Sequence, residues 1–323
     1  MPRSDGRYPA AGGQPLVIAV IVTYNRRDLL LESLAAVHAQ QRVPDSVIVV
    51  DNASADGTAS AIRAAFPAVH VAELGANYGG AGGFAYGMAR ALADGATLIW
   101  LMDDDTVPEP GALEALLQAR EAYPGGPPAL VASSVQWTDG RAHPMNTPRA
   151  KPFAARGQRE AAAAAGCIPI RSASFVSILV DADQCRRSGL PKADFFLWND
   201  DFEFTTRLLR SSPGLLCPAS VVVHKTRTFG STDVDPGDRF FYEVRNKLWT
   251  LRTGSLRLPE RVLYGGATLR RWLRTYAASS DRGRLRSALG RGLAAGLRTR
   301  PRPNEQVLAA AGLATVEDAD RPA

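Results

Sequence analysis

With 323 residues and 46% hydrophobic content the chain can bury one large core unaided, and three widely spaced cysteines (Cys167, Cys185, Cys217) exclude a disulfide scaffold and a zinc ribbon. The opening MPRSDGRYPAAGGQP has no apolar leader segment and no uncharged run is long enough to cross a bilayer, so the expected workplace is the cytosol or its membrane surface. The net charge of +6 hides an asymmetry: residues 239–302 hold 16 Lys/Arg against 3 Asp/Glu, a balance that would suit nucleic acid, an anionic lipid surface or an acidic substrate.

Residues 1–15 read as a disordered leader, rich in Gly, Pro and Ala. LVIAVIVTY (16–24) is a continuous β-branched run, as expected of a parallel strand buried on both faces, and 25–40 follows with helical spacing. SVIVVDN (46–52) predicts a second strand and 53–66 a second helix. VHVAEL, a Gly-rich turn, a helix over 84–93 and the strand TLIWLM continue the alternation. This order predicts an open, mainly parallel α/β sheet flanked by helices, with ligands outside the carboxyl ends of the strands, where Tyr24, Asp51 and Asp103 fall. A helix is expected over 111–123, loops over 124–166, strands over 172–181 and 220–224, and a helix from Asp200. From Phe240 the pattern is helical; 304–323 reads as a loosely ordered tail.

The strongest chemical signal is WLMDDDTVPEP. Three adjacent carboxylates repel one another unless a cation is present, and Asp103 and Asp105, two apart in extended chain, point the same way and suit Mg2+ or Mn2+. A solvated acidic turn is the competing reading. Asp51 in VVDNAS either bonds a nucleobase or ribose or closes an Asx turn. In NYGGAGGF (77–84) four glycines in five positions either bring backbone amides to an anion or form a flexible turn; the run lacks the Lys-Ser/Thr of a phosphate loop. WNDDFEF (198–204) sets three carboxylates at a helix start, where they favour the helix dipole or supply a general base. His224, closing SVVVH, would complete a metal site with Asp103 and Asp105.

In combination and in order, VIVTYNR, VVDNAS, NYGGAGGF, the DDD strand end, WNDDFE with Arg207 and a late strand ending in His resemble the family 2 glycosyltransferases of GT-A fold, over about residues 16–249. Within that family, NxGGAGGF with DDD and a His after the base is similar to the bacterial galactofuranosyltransferases of arabinogalactan assembly, above all the shorter, priming kind. The resemblance implies a divalent metal, Mn2+ or Mg2+, on Asp103, Asp105 and His224, with Asp201 as base and Asp200 as the alternative. It further implies a UDP-sugar donor at Thr23, Tyr24, Asn25, Asp51, Asn77, Gly79, Gly80, Gly83, Asp103 and Asp104. The reaction implied is inverting transfer of galactofuranose to a polyprenyl-diphosphate-linked rhamnosyl-GlcNAc acceptor. Trp198 either stacks on the acceptor or packs in the core.

The expected division is a glycosyltransferase domain over 16–238 and a basic amphipathic helical region over 239–303, in which Leu269, Arg270, Arg271, Trp272, Leu273, Arg274 and Tyr276 interleave charge with apolar surface. Such helices bind anionic leaflets, which predicts a peripheral protein on the cytoplasmic face of the plasma membrane; no RNA-binding motif accompanies the charge, so no nucleic-acid partner is expected. Two other readings are a rhamnosyltransferase of the same family using a dTDP-sugar and a non-catalytic nucleotide-sugar-binding protein of the membrane surface.

Overall fold

A computed structural model describes residues 14–226, 229 and 236–312; residues 1–13 of the expected leader and 313–323 of the expected tail lie outside the described residues. β1 (Val17–Thr23), α1 (Arg27–His38), β2 (Ser46–Asp51), α2 (Thr58–Ala65), β3 (His70–Glu73), α3 (Gly79–Ala93) and β4 (Leu98–Asp103) realise the expected alternation. They are followed by β5 (Thr106–Pro108), α4 (Ala112–Ala122), β6 (Leu130–Gln136), β7 (Arg149–Ala150), α5 (Arg156–Ala164), β8 (Ile168–Ser172), β9 (Ile178–Asp181), α6 (Ala182–Ser188), α7 (Asp200–Leu208) and β10 (Gly214–His224). The C-terminal part is α8 (Phe240–Arg252), α9 (Leu258–Ala278), α10 (Arg282–Arg298) and α11 (Asn304–Val307).

The sheet order is β3-β2-β1-β4-β9-β6-β10-β8-β7, with β5 paired to β10. β3, β2, β1 and β4 run parallel, while β9 lies antiparallel between β4 and β6. Every residue of β1 is buried because the strand has helices on both sides. Its alternation divides the core: Ile18, Val20 and Val22 face the layer of Phe84 and Met88, whereas Val17, Ala19 and Ile21 face that of Leu30, Leu34 and Leu113.

The sequence reading departs from the structure in identifiable places. The stretch 124–166, expected as loops, contains β6 and α5. β6 reads LVASSVQ, and its serines mask the apolar run; Ser133 is nevertheless buried, its hydroxyl 2.7 Å from Ser177 Oγ and 2.8 Å from Ser220 Oγ. The single strand expected over 172–181 is instead the end of β8 and, after a break, β9. The second helix starts at Thr58, after a turn in which Ala53 and Gly57 adopt positive φ.

The C-terminal region is helical, but only part of it behaves as the amphipathic pattern predicts. α8 and α10 pack on each other and close a core of Phe240, Val244, Leu285 and Ala288. Gly292 and Gly296 make that approach possible, since a Cβ on either would stand 2.7 or 2.8 Å from side-chain atoms of Val244 or Leu248. Several cations of the region are spent on carbonyls: Arg245 Nη2 donates to Asp194 O at 2.7 Å and Arg252 Nη1 to Leu297 O at 2.8 Å. Nor is the segment from 304 loose as far as it is described. α11 lies against α3, Leu308 is fully buried, and Asn304 Nδ2 donates to Pro191 O at 2.8 Å.

Candidate active site

The strand ends meet where the topology requires. Register pairs Thr23 with Asp51 across β1 and β2, and Val22 with Asp103 across β1 and β4. From the far side β10 pairs antiparallel with β5, setting His224 opposite Thr106 and beside Asp105, whose carbonyl accepts the Lys225 amide at 2.8 Å. A cleft of about 690 Å3 opens there, lined among others by Gly80, Asp103, Asp104, Asp105, Trp198, Asp200, Asp201 and His224.

One ligand atom each from Asp103, Asp105 and His224 lies within 4.8 Å of the others, as a shared cation requires. His224 Nδ1 is 3.1 Å from Asn146 Oδ1, and Asn146 Nδ2 donates to Ser174 Oγ at 3.3 Å. On the other side of the ring, Nε2 faces Asp105 Oδ1, 2.8 Å away. An imidazole nitrogen and a carboxylate at that distance share either the ring's proton or a cation, and with Asp103 beside them the three residues fit a divalent metal.

Electrostatics agree with the geometry. Burial, and then the charge of Asp105, raises the Asp103 carboxyl to about 7; burial raises Asp104 to about 6 against the pull of Arg26. Burial would also raise Asp105, but the bond to His224 and the charges of His224 and Arg26 outweigh it and hold its pKa low. Burial opposes charge on His224, yet Asp105 beside it raises its pKa overall. Arg26 Nη1 donates to Asp104 Oδ1 at 3.2 Å and to Asp105 Oδ2 at 2.5 Å. Arg26 has no role predicted from the sequence, where its position directly after the TYN of the first strand end is the only signal.

Asp200 and Asp201 begin α7 on the opposite wall. The approach to α7 is conformationally expensive: Phe196, Trp198 and Asn199 all have φ between +62° and +65°. Both carboxyls sit above the ordinary range through burial. Asp200 is pushed up further by Asp201 and Asp103, whereas Lys247 and Arg149 counteract the shift at Asp201.

The other predicted donor residues surround the cleft without lining it. Thr23 is buried and donates to Asp104 Oδ2 at 2.9 Å, which ties the β1 end to the acidic triplet. The Tyr24 ring is exposed, and Asn25 Oδ1 accepts the Ala55 amide at 2.8 Å. Asp51 Oδ1 accepts the Ser54 amide at 3.0 Å, so the Asx-type turn is real. Asn77 Oδ1 accepts the Gly79 amide at 2.7 Å.

The glycine run is not a loop before a helix: Gly79, Gly80, Gly82 and Gly83 form the first turns of α3. A Cβ at Gly83 would stand 2.4 Å from Val22 Cγ1, and one at Gly79 2.0 Å from the Phe196 carbonyl oxygen. These two glycines let α3 press on β1 and on the approach to α7; Gly80 alone of the four lines the cleft. Asn146, Ser174 and Phe175 also line it, and all three fall where the sequence offered no motif.

Among solved structures, that of Staphylococcus aureus TarS 1–349 in complex with UDP superposes with a TM-score of 0.61 at 14% identity, covering 91% of this chain and 82% of that one. The mannosyltransferase PcManGT from Pyrobaculum calidifontis, in complex with GDP-Man and Mn2+, gives 0.54 at 19% identity over 94% and 82%. These likenesses show a GT-A fold. Sequence relatives carry more. Galactofuranosyltransferase GlfT1 of Mycobacterium tuberculosis (strain H37Rv) is 32% identical over 258 residues, 75% of this chain and 84% of that protein. GlfT1 of Mycolicibacterium smegmatis is 31% identical over 287 residues, 80% and 94% of the two chains. Residues 18–179 match the profile "Glycosyl transferase family 2", and with these relatives it follows that the chain belongs to that family.

Proposed function

We propose that this glycosyltransferase moves galactofuranose from UDP-galactofuranose to a polyprenyl-diphosphate-linked rhamnosyl-GlcNAc acceptor, with inversion and with a divalent metal, at an anionic membrane surface on the cytoplasmic side. The observation that carries the chemistry is the facing of the Asp103, Asp105 and His224 cluster by Asp200 and Asp201 across one cleft. GlfT1 relatives at 31–32% identity support the sugar.

In this reading Asp103, Asp105 and His224 hold Mn2+ or Mg2+, and an imidazole among the ligands suits Mn2+ better. A cation held there would supply charge neutralisation for the departing UDP. Thr23, Tyr24, Asn25 and Asp51, with Asn77 and the start of α3 from Gly79 through Gly83, shape the nucleoside end, and Asp104 joins it to the metal end through Thr23. Asp201 takes the proton of the acceptor hydroxyl. Lys247 and Arg149 favour its ionised form, whereas burial, Asp201 and Asp103 raise the Asp200 carboxyl further, which makes it the less suited base. Trp198 offers its ring to the acceptor from the cleft wall.

Membrane contact is assigned to α9. Leu258, Val262, Leu269, Leu273 and Tyr276 recur at helical spacing along one exposed side, flanked by Arg270 and Arg274. No helix among the described residues is long and apolar enough to cross a membrane.

The test is turnover of UDP-galactofuranose on a synthetic rhamnosyl-GlcNAc lipid diphosphate, with Mn2+ or EDTA, and linkage analysis of the product. A metal-dependent galactofuranosyl product supports the reading. Turnover that persists in EDTA, or transfer only from dTDP-rhamnose in a competing-donor assay, overturns it.

A further inference from the structure

We infer that Arg149 and Lys247, gathered at the Phe202 ring beside Asp201, with Arg271 two turns along α9 from Tyr264, form a binding site for the diphosphate of the acceptor, separate from the donor's diphosphate at the metal cluster. The inference rests on the proposed lipid-diphosphate acceptor.

Three elements, β7, α8 and α9, each bring one cation to this place. The Arg149 guanidinium carbon lies 5.3 Å from the Phe202 ring centroid and 5.8 Å from that of Tyr264; Lys247 Nζ lies 4.6 Å from the Phe202 centroid. The two rings meet edge to face at 5.2 Å and form the floor between the cations. Arg271 is fixed by an ion pair to Glu243, which also accepts from Asn199 Nδ2 at 2.8 Å, so this cation is tied to the residue just before Asp200.

Such a cluster is costly without an anion. Lys247 is 7% exposed, yet among the described residues its ammonium makes no hydrogen bond or ion pair and rests only on the Phe202 ring. Burial, and then the charge of Arg149, depress its pKa to about 7, and Asp201 is the only carboxylate that opposes them. Arg149 also lowers the pKa of Arg271, behind the effect of burial. A buried ammonium without a hydrogen-bonding partner, with the exposed Arg149 over the same ring, is the pattern of a site completed by a multiply charged anion. The donor's diphosphate is not that anion, because the cations stand on the Asp201 side of the cleft, where the acceptor hydroxyl must arrive.

The test has two arms. In the first, full-length protein in EDTA is titrated with inorganic pyrophosphate by calorimetry; without metal, the acidic triplet repels this probe. Wild type is expected to bind, Arg149→Gln and Lys247→Met to bind at least fivefold more weakly, and the double variant not at all, while the Kd for UDP with Mn2+ stays within twofold. In the second arm kcat/KM is compared for two acceptors with the same disaccharide, one a prenyl diphosphate and one a neutral octyl glycoside. The ratio of diphosphate over neutral is expected to fall at least tenfold in Arg149→Gln, an exposed position whose replacement leaves the core intact. No pyrophosphate binding by wild type, or an unchanged acceptor ratio in Arg149→Gln, overturns the site. Pyrophosphate binding that responds to the variants, without galactofuranose transfer, keeps the site and refutes the proposed sugar.

Discussion

Asn246 holds Trp198: its Nδ2 donates to the Trp198 carbonyl at 2.8 Å, and the same amide serves Leu197 O at 2.8 Å and Phe195 O at 2.9 Å. A fully buried side chain of α8 thus restrains the positive-φ residues that carry Trp198 and deliver Asp200 and Asp201 to the cleft. Asn246→Ala leaves the Leu197 and Trp198 carbonyls without this donor, at a cost of about 1–3 kcal/mol, while Phe195 O keeps Arg245 Nη2 at 3.0 Å. Relaxation of the segment by an ångström or so lowers kcat by about a hundredfold. Thermal unfolding and steady-state kinetics check both effects; wild-type kcat in Asn246→Ala would show that the strained approach is irrelevant to the reaction.

Gly79 and Gly80 are neighbours with opposite tolerance. Gly79 has φ +70° and its missing Cβ faces the Phe196 carbonyl oxygen at 2.0 Å, whereas nothing lies within 4 Å of a Cβ at Gly80. Gly79→Ala therefore lowers the melting temperature and displaces the Phe196 segment. Gly80→Ala stays within about 1 kcal/mol of wild type, or gains stability from helix propensity. Equal melting temperatures for the two variants would refute the packing account.

The same glycines show where sequence reasoning stopped. The strands were legible because β1, β2 and β4 are buried on both faces and so are written as unbroken apolar runs. The carboxylates of the site were legible because topology fixes where such strands end, and His224 because its strand ends in a His. A glycine run does not say what stands opposite its missing Cβ atoms; here β1 and the Phe196 segment do, and neither is close in sequence. Asn246, Lys247 and Asn146 were illegible for a related reason: each acts through contacts some 45 to 80 residues away, and its own surroundings in sequence carry no motif.

Metal and pH act on the triplet together. In the folded chain Asp103 and Asp104 titrate at about 7 and about 6, against 3.8 for a free aspartate. Their raised values give stability that is present below pH 3.8 and is lost as pH rises through 6 and 7; Asp105, with its lowered pKa, acts with the opposite sign. The melting temperature of metal-free wild type, relative to Asp103→Asn, is thus expected to decline between pH 4 and 7.5. Addition of Mn2+ raises it more at pH 7.5 than at pH 5, and less in the variant. A pH-independent difference between the two proteins would contradict the assignment.

Lys247 is expected to cost stability. Its depressed pKa means that the folded state resists its charge: the neutral amine is tolerated above pH 10.5, and stability is lost as pH falls through about 7. Lys247→Met removes that penalty and keeps the volume, so it raises stability at pH 7 by ~1–2 kcal/mol, with the advantage shrinking by pH 9.5. Denaturant unfolding at the two pH values measures it. A destabilised Lys247→Met at pH 7 would mean that Asp201 already compensates the ammonium.

The exposed side of α9 gives the last prediction. Leu269 and Leu273 are 58% and 62% exposed, one helical turn apart, so in the proposed membrane contact each is expected to add to binding without serving the core. Insertion of one leucine into the headgroup boundary is worth about 1.5–3 kcal/mol, and the flanking Arg270 and Arg274 add about 1 kcal/mol each near an anionic leaflet. Leu269→Glu with Leu273→Glu is expected to reduce co-sedimentation with phosphatidylglycerol vesicles at least tenfold and to leave the melting temperature unchanged. Salt weakens the wild-type interaction, because part of it is Coulombic and screened. Activity on a lipid diphosphate in vesicles falls with it, while activity on a water-soluble acceptor does not. Vesicle binding by the double variant at wild-type strength would move the membrane contact elsewhere on the surface, and loss of activity on both acceptors would mean that α9 shapes the active site rather than bringing it to the membrane.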